Sequence, residues 1–511
     1  MDALQQTQLV TIIALVLFSL LMIGIGIYSW RKTQTIDGFL LGGRNIGAWV
    51  SAFAYGTSYF SAVIFIGYAG KHGWSIGFAS MWIGVGNAVL GCLLAWLLLA
   101  RRTRTMTHAL SVKTMPEFFE ARYASMPMKV FAALVIFIFL VPYSAAVYKG
   151  LGTMFNTIFP TVSVTVCMAI IAVLTAIYLV LGGYVATAYT DFVQGLIMIF
   201  GVFAMVVAIV KNPAVGGFFE GFRRIEAIDP QLVNPWGGSN FKFLCTNILL
   251  TSFGTWGLPQ MVSKFYAIKD GKSVKTATVV STGFALIIGC GAYFIGSLAR
   301  LILTAADNVP MTAAGGVDFD AIIPTMLVTA LGDVNLFTTI ILAVILLLLL
   351  SASMSTLASV VLTSASAISV DLIPVVKKDY HPKHQMGLTR GLCLLFVVLS
   401  FLFATMNISI IVNIMSFSWG VVSGCFIGPY IWGVYSKRIT KAGAWSGMIC
   451  GLLAVGIPTA VISIIDGFPA AAALAPEMGV FAMALSIIVT PVVSIFTKQF
   501  DKKHLETVFK A

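Results

Sequence analysis

Hydroxyl side chains form a stripe on one predicted helix in the second half of the chain. Residues 351–363 follow a run of leucines, and Ser355, Thr356, Ser359 and Thr363 recur there at the i, i+3, i+4 spacing of one helix face. Neutral oxygens without a charged neighbour suit a small, hard monovalent cation such as Na⁺, because hard cations take oxygen ligands. Serine-rich packing between helices explains the same stripe equally well.

Two further segments carry the residues that interrupt helices. Residues 51–62 contain Gly56, and residues 251–260 contain Gly257 and Pro259; both segments have the order aromatic-Gly-Thr at their centre. A break in a buried helix frees carbonyl oxygens that coordinate ions, and half-helix N-termini that face anionic groups of a solute. Close helix packing at small residues remains the alternative for each segment taken singly.

These segments lie in a chain that is too apolar for a water-soluble protein. Of its 511 residues, 59% are hydrophobic and only 10% are charged, against about 25% charged in soluble domains. Thirteen apolar runs without Asp, Glu, Lys or Arg are long enough to cross about 30 Å of hydrocarbon. They are residues 9–29, 48–68, 76–100, 130–147, 162–181, 192–210, 243–262, 279–299, 337–361, 392–406, 408–434, 442–464 and 479–496. The sequence therefore predicts an all-α polytopic membrane protein with thirteen transmembrane helices.

The net charge of +12 follows the membrane rather than a nucleic acid. Alternate connections between the predicted spans hold 24 of the 31 lysines and arginines, whereas residues 301–335, on the other side, hold four aspartates and no basic residue. The positive-inside rule then places the N-terminus outside and the C-terminus in the cytoplasm. We expect the protein to be a multi-pass protein of the cell (plasma) membrane. We expect the lipid bilayer as a partner, no nucleic acid, and a monomer.

The two interrupted segments fall in the second and seventh predicted spans. Because an offset of five is odd, the second unit must cross the membrane in the opposite direction from the first. This predicts a single transmembrane domain, residues 1–511, with an inverted five-plus-five repeat over about 46–211 and 240–436. The remaining predicted helices, 9–29, 442–464 and 479–496, are additional to the repeat.

Short motifs along nearly the whole chain resemble those of the sodium:solute symporter family. They are FLLGGR at 39–44, the interruption at 56–62, LGGY at 181–184, TDFVQ at 190–194, ASMSTL at 352–357 and GPY at 428–430. The resemblance implies a leucine-transporter-like fold. It also implies a secondary active symporter that uses Na⁺ to import a small organic solute by alternating access.

The resemblance implies a set of sodium ligands that agrees with the hydroxyl stripe and the first interruption. The family's main sodium site falls on the backbone carbonyls of Thr57, Phe60 and Ala352 and on the hydroxyls of Ser355 and Thr356.

A membrane-embedded aspartate of the family falls on Asp191, at the predicted cytoplasmic start of the sixth span, where it would lie on the sodium pathway. An ordinary carboxylate at a helix N-terminus would look the same. Some relatives hold a second sodium at positions that fall here on Ser61, Ile64, Ser355, Ala358, Ser359 and Asp191. Two of these, Ile64 and Ala358, lack a side-chain oxygen, so we expect one Na⁺ per solute.

The solute pocket that the resemblance implies has no Arg or Lys, so a solute carboxylate would meet hydroxyls and half-helix N-termini. It is lined by Tyr59, Ala62, Val63, Tyr143, Thr251, Thr255 and Trp256, with Ser416, Ser418 and Trp419 as an outer gate. Proline transporters of the family have an acidic residue where this chain has Tyr59, so proline is not the expected solute.

A neutral amino acid or a small carboxylate is favoured as the solute, and a sugar or a sialic acid is the alternative. A membrane sensor built on the same fold is a second alternative function. We do not expect an enzyme, because the predicted spans contain no polar catalytic cluster.

Overall fold

Helices account for almost all of the regular structure. The computed structural model describes residues 3–30, 33, 35–332, 335–377, 382–406 and 408–509. Among these residues there is no strand, only two isolated bridges, between Ile46 and Ile268 and between Met311 and Val317. The predicted all-α chain is confirmed.

The α-helices are numbered here in chain order. The first eleven are α1 (Ala3–Trp30), α2 (Ile36–Leu41), α3 (Ala48–Tyr59), α4 (Ala69–Ile76), α5 (Met81–Gly86), α6 (Arg101–Ala109), α7 (Met115–Tyr123), α8 (Met126–Ile158), α9 (Val164–Val210), α10 (Phe218–Ile228) and α11 (Phe241–Gly257). The others are α12 (Pro259–Ala267), α13 (Gly271–Ala305), α14 (Ile322–Ala330), α15 (Leu336–Ser366), α16 (Ile373–Val376), α17 (Pro382–Thr405), α18 (Ile411–Tyr435), α19 (Lys441–Asp466), α20 (Phe468–Ala473), α21 (Ala475–Ile495) and α22 (Lys502–Phe509). Four π-helical segments, Ile64–Tyr68, Asn87–Leu94, Trp96–Ala100 and Ala367–Leu372, continue neighbouring helices.

Ten helical runs among the described residues are long and apolar enough to cross a membrane. They are Gln8–Trp30, Ile64–Ala109, Met126–Ile158, Val164–Val210, Gly271–Ala305, Phe337–Val376, His384–Thr405, Ile411–Tyr435, Lys441–Asp466 and Ala475–Ile495. The predicted spans 48–68 and 243–262 are interrupted, and the predicted spans 162–181 and 192–210 lie within one helical run. The protein is therefore a multi-pass membrane protein, and the exact number of thirteen spans stays a prediction.

Helix α9 shows how two predicted spans are joined. Its 47 residues correspond to about 70 Å of helix, more than twice the thickness of the hydrocarbon core. The backbone leaves helical geometry at Gly183, where φ is 53° and ψ is −144°. A Cβ at this position would lie 2.4 Å from a ring carbon of Phe39. Only glycine fits this bend, both because φ is positive and because the Phe39 ring is so close.

Two backbone hydrogen bonds join the start of the first interrupted helix to the end of the second. Ile46, just before α3, accepts a hydrogen bond from the Lys269 amide (3.0 Å) and donates one to the Ala267 carbonyl (3.3 Å), at the end of α12. The start of the first interrupted helix therefore lies beside the end of the second. The predicted inverted repeat and the boundaries of its two halves stay predictions.

Replacing Gly183 by alanine should destabilise the protein, because alanine would have to adopt a positive φ and clash with Phe39. We expect a loss of about 1–3 kcal/mol, the usual cost of a strained backbone position. Thermal unfolding of the detergent-purified protein measures it. Gly24→Ala is the matched control, since a Cβ at Gly24 meets no atom within 4 Å. Equal melting temperatures for the two variants would contradict the argument.

Candidate cation and solute site

The first interrupted helix ends at Phe60. Phe60 is extended, with φ −105° and ψ 98°, and its amide donates to the Gly56 carbonyl at 3.1 Å. Helical geometry resumes at Ala62, where the Ser61 side chain accepts a hydrogen bond from the Val63 amide at 3.2 Å. An extended residue at the end of a helix leaves carbonyls of the last turn without their usual amide donors.

Side chains of α15 contact these carbonyls. The Ser355 hydroxyl donates to the Thr57 carbonyl at 3.0 Å, and its oxygen also lies 3.1 Å from the Ala352 carbonyl oxygen. The Thr356 hydroxyl oxygen lies 3.2 Å from the Thr57 carbonyl oxygen and 3.4 Å from that of Ser58. All five residues are at most 1% exposed. The result is a group of neutral oxygens, from two helices, in an apolar surrounding.

Four of the five predicted sodium ligands are thus brought together: Thr57, Ala352, Ser355 and Thr356. Phe60 lies at the break itself, but among the described residues no hydrogen bond joins its carbonyl to the other four. A hydroxyl that donates to a carbonyl can rotate and direct its lone pairs to a cation held by the same carbonyl. The group therefore has the chemistry of a site for a dehydrated monovalent cation.

A buried ion pair lies beside this group of oxygens. The Lys264 ammonium of α12 lies 3.8 Å from an Asp191 carboxylate oxygen of α9, and the two side chains are 1% and 0% exposed. The sequence analysis assigned Lys264 to a connection, because the predicted span ends at residue 262. In the structure α12 continues to Ala267, so Lys264 lies inside the protein.

A small cavity lies on the other side of the break. Tyr59, Phe60, Ser61, Ile64, Tyr68, Asn87, Thr251, Tyr293, Met415 and Trp419 line it. The Tyr59 hydroxyl donates to the Thr251 carbonyl at 2.7 Å and so connects the two interrupted helices. Its ring stacks on Phe60 and Trp419, with centroid distances of 4.4 and 6.1 Å. Tyr59 therefore both lines the cavity and connects the two interrupted helices.

The other predicted pocket residues have different surroundings. Ala62 and Val63 are fully buried but do not line the cavity, and Tyr143 meets the edge of Trp419 at 5.8 Å. Thr255 and Trp256 donate to the carbonyls of Gly91 and Leu90, both at 3.0 Å, and so face the π-helical segment Asn87–Leu94 instead.

The three residues of the predicted outer gate also have different surroundings. Trp419 lines the cavity, whereas the Ser416 hydroxyl lies 3.0 Å from that of Tyr68. Ser418 donates to the Phe139 carbonyl.

Asn87 is a cavity residue that the sequence analysis missed. Its side-chain oxygen lies 2.7 Å from the Thr251 hydroxyl and 3.3 Å from the Ser252 hydroxyl. It is the only amide side chain in the predicted span 76–100. A lone amide in an apolar span was therefore the signal that could have identified it, since buried polar groups need partners.

Charges also tie the start of α18 to the connection between α13 and α14, which contains Asp320. Asp320 accepts hydrogen bonds from the Ile411 amide at 3.1 and 3.2 Å and pairs with Lys149 at 2.8 Å. Burial raises the pKa of the Asp320 carboxyl above its ordinary value, and the Lys149 ammonium and the Ile411 amide oppose that rise. A carboxylate at the N-terminus of α18 also complements the helix dipole. These contacts hold α18, and with it Trp419, against the cavity.

Comparison with known proteins agrees with this geometry. A profile of the Sodium:solute symporter family matches residues 39–451. The chain belongs to the sodium:solute symporter family. It is therefore assigned to sodium-coupled solute symport, and the family is one of transporters rather than enzymes.

Curated relatives in this family match over most of their length. The osmoregulated proline transporter OpuE of Bacillus subtilis (strain 168) is 28% identical over 98% of this chain and 96% of its own. The sodium/proline symporter of Escherichia coli (strain K12) is 28% identical over 85% of this chain and 84% of its own.

Two solved structures share the fold. A Na⁺-coupled sialic acid symporter in a substrate-bound, outward-open state has a TM-score of 0.77 at 17% identity, and the match covers 96% of this chain and 99% of that one. Mhp1, a nucleobase-cation-symport-1 family transporter in a closed conformation, has a TM-score of 0.53 at 15% identity, over 93% and 98% of the two chains. These neighbours have the leucine-transporter-like fold that the sequence resemblance implies.

Removing both α15 hydroxyls, by Ser355→Ala with Thr356→Ala, should weaken Na⁺ binding at least tenfold, about 1.4 kcal/mol. The reason is that the remaining carbonyls of Thr57, Phe60 and Ala352 cannot by themselves replace the water that a dehydrated cation loses. Binding of radioactive ²²Na⁺ to the purified protein measures the effect. Ser353→Ala is the matched control, since the Ser353 hydroxyl is buried on the same helix without a hydrogen-bond partner in the described structure. Unchanged Na⁺ affinity in the double variant would place the cation elsewhere.

Proposed function

We propose that this protein imports a small organic solute together with Na⁺ by alternating access across the plasma membrane. A single observation carries the proposal: the residues at one helix break, at the end of α3, contribute to both the proposed Na⁺ site and the proposed solute site. The Thr57 carbonyl faces the hydroxyls of Ser355 and Thr356, and three residues later Phe60 and Ser61 form part of the cavity wall.

This shared segment supplies the physical reason for coupling. A cation that orders the Thr57 carbonyl also orders the residues that meet the solute, so each ligand favours binding of the other. The inward movement of one Na⁺ releases about 2.3 kcal/mol per 100 mV of membrane potential, in addition to the contribution of the Na⁺ concentration gradient. That energy drives uptake against a solute gradient.

The proposed sodium ligands are the carbonyls of Thr57, Phe60 and Ala352 and the hydroxyls of Ser355 and Thr356. The distances among four of these residues support the assignment. Asp191 lies near this set but faces Lys264. We therefore keep Asp191 as a residue of the Na⁺ route rather than as a ligand.

The cavity wall favours a neutral amino acid or a small carboxylate as solute. The wall has no acidic or basic side chain among the described residues, and its aromatic rings suit a small apolar body. Asn87, Thr251 and Ser61 provide polar contacts. A carboxylate would meet the second half-helix at Ala62, where the positive end of the helix dipole favours an anion.

Basic residues support a cytoplasmic C-terminus and an external N-terminus. Arg104 donates to the Ile268 carbonyl, and Arg44 donates to the Val112 carbonyl, so these connections meet on one face of the protein. The positive-inside rule makes that face cytoplasmic. Both proposed sites are built from a single chain, so we propose the monomer as the transporting unit.

A thermal-shift screen of the purified protein, with and without Na⁺, tests the proposal, because a ligand that binds the folded state raises its apparent stability. Neutral amino acids, small carboxylates, sugars and sialic acid form the arms of the screen. We expect one of the first two classes to raise the melting temperature, and to raise it more in Na⁺ than in K⁺. Proline should not raise it. Solute counterflow in proteoliposomes then distinguishes a transporter from a sensor. A solute that binds identically with and without Na⁺ would contradict coupling.

Asn87→Ala should weaken binding of the solute found in that screen about tenfold, which corresponds to about 1.4 kcal/mol. The reason is that the substitution removes a polar contact from the cavity wall. Binding of Na⁺ in the absence of solute should not change. Isothermal titration of the two ligands measures both effects. Thr255→Val is the matched control, because the Thr255 hydroxyl faces Gly91 and not the cavity. Equal solute affinity in Asn87→Ala and the parent would remove Asn87 from the site.

A further inference from the structure

The Lys264 ammonium of α12 is a buried cation held among oxygens of three other helices. It donates to the Ser359 hydroxyl of α15 at 3.0 Å, and the Ser359 oxygen lies 2.7 Å from that of Ser58 in α3. The Asp191 carboxylate of α9 is 3.8 Å away, and the Tyr184 ring centroid is 5.0 Å away. A carboxylate, two hydroxyls and an aromatic face form a binding site for one monovalent cation, and the lysine of α12 supplies that cation.

Among the described residues, Lys264 is the only basic side chain that pairs with the Asp191 carboxylate. Neither of its carboxylate oxygens lies within hydrogen-bond distance of a donor among the described residues. A buried carboxylate without a nearby cation is strongly disfavoured, since the lost hydration is not replaced. The ammonium is therefore what keeps a charged Asp191 inside the protein.

The ammonium also lies close to the proposed sodium ligands. Ser359 follows Ser355 by four residues on α15, which is about one helical turn, and Ser58 follows Thr57 directly. A cation at the Thr57 carbonyl and the Lys264 ammonium are thus separated by roughly one helical turn. Two cations at that separation repel each other unless an anion balances one of them. The single Asp191 carboxylate balances one cation beside the sodium ligands, and the ammonium already fills that place.

We propose that the Lys264 ammonium is a built-in cation that takes the place a second Na⁺ would occupy at Asp191, Ser359 and Ser58, and so limits the protein to one Na⁺ per solute. This inference rests on the proposed sodium-coupled transport. It makes Lys264 a residue that determines the number of coupled ions. A purely structural ion pair would affect stability and leave that number unchanged.

The test counts bound sodium ions with ²²Na⁺ on the purified full-length protein. The parent should bind one Na⁺ per chain. Lys264→Met removes the charge, keeps an unbranched side chain, and leaves Asp191 free to recruit a second ion, so it should bind two. Lys264→Arg keeps a cation and should bind one. Lys264→Met combined with Asp191→Asn removes both charges and should return to one.

Reversal potentials in proteoliposomes provide the second readout. With a fixed Na⁺ gradient and a varied gradient of the transported solute, the coupling ratio should change from one in the parent to two in Lys264→Met. A Lys264→Met variant that is folded and still binds one Na⁺ would overturn the inference.

The parent alone provides a test that does not depend on the folding of any variant. Two Na⁺ per parent chain would overturn the role of Lys264 and leave sodium-coupled transport intact. No Na⁺ bound to the parent would instead contradict the proposed function. Asp191→Asn with Lys264 retained should still bind one Na⁺, and loss of that ion would show that Asp191 holds the transported sodium itself.

Discussion

The carbonyl groups that a helix break frees inside a membrane need new hydrogen-bond partners. The break at Phe60 creates this need, and the arrangement of the surrounding helices depends on it. The hydrocarbon of the bilayer offers no hydrogen bonds, so groups inside the protein must satisfy the freed oxygens. The hydroxyls of Ser355 and Thr356 do so from α15. The position of α15 against α3 is therefore part of the site.

The same requirement applies to the second interrupted helix. Leu258 ends α11 with φ −79° and ψ 120°, and Pro259 begins α12 without an amide hydrogen to donate. Tyr59 connects the first break to the second helix through the Thr251 carbonyl. The two breaks are thus linked directly across the cavity.

Buried charge is the second constraint on this fold. Lys264 and Asp191 lie inside the protein at the level of the hydroxyl stripe, and Asp320 and Lys149 lie at the start of α18. Each pair is expensive to bury and is retained where helices must take defined relative positions. The first pair lies beside the cation ligands, and the second holds the helix that carries Trp419.

The sequence alone determined the class of protein and the family, and it predicted the residues that we propose as cation ligands. Hydropathy predicts spans because the cost of a charge in lipid is large, and a hydroxyl stripe can be identified because the helical period brings Ser355, Thr356 and Ser359 to one face. Thr57 and Ala352 followed from motifs that resemble the family, and the structure places both beside Ser355 and Thr356.

Only the tertiary structure decided which side chains meet across different helices. Thr255 and Trp256 lie at the second break in sequence, yet their rotation about the helix axis directs them to Gly91 and Leu90. Lys264 follows the predicted end of a span by two residues, and only the packing of α12 against α9 and α15 shows that it is buried at Asp191. The expectation of one Na⁺ came from missing hydroxyls at Ile64 and Ala358, whereas the structure offers a different reason, a lysine ammonium. Contacts between residues about 70 to 170 positions apart in the chain depend on helix packing, which no local pattern of residues encodes.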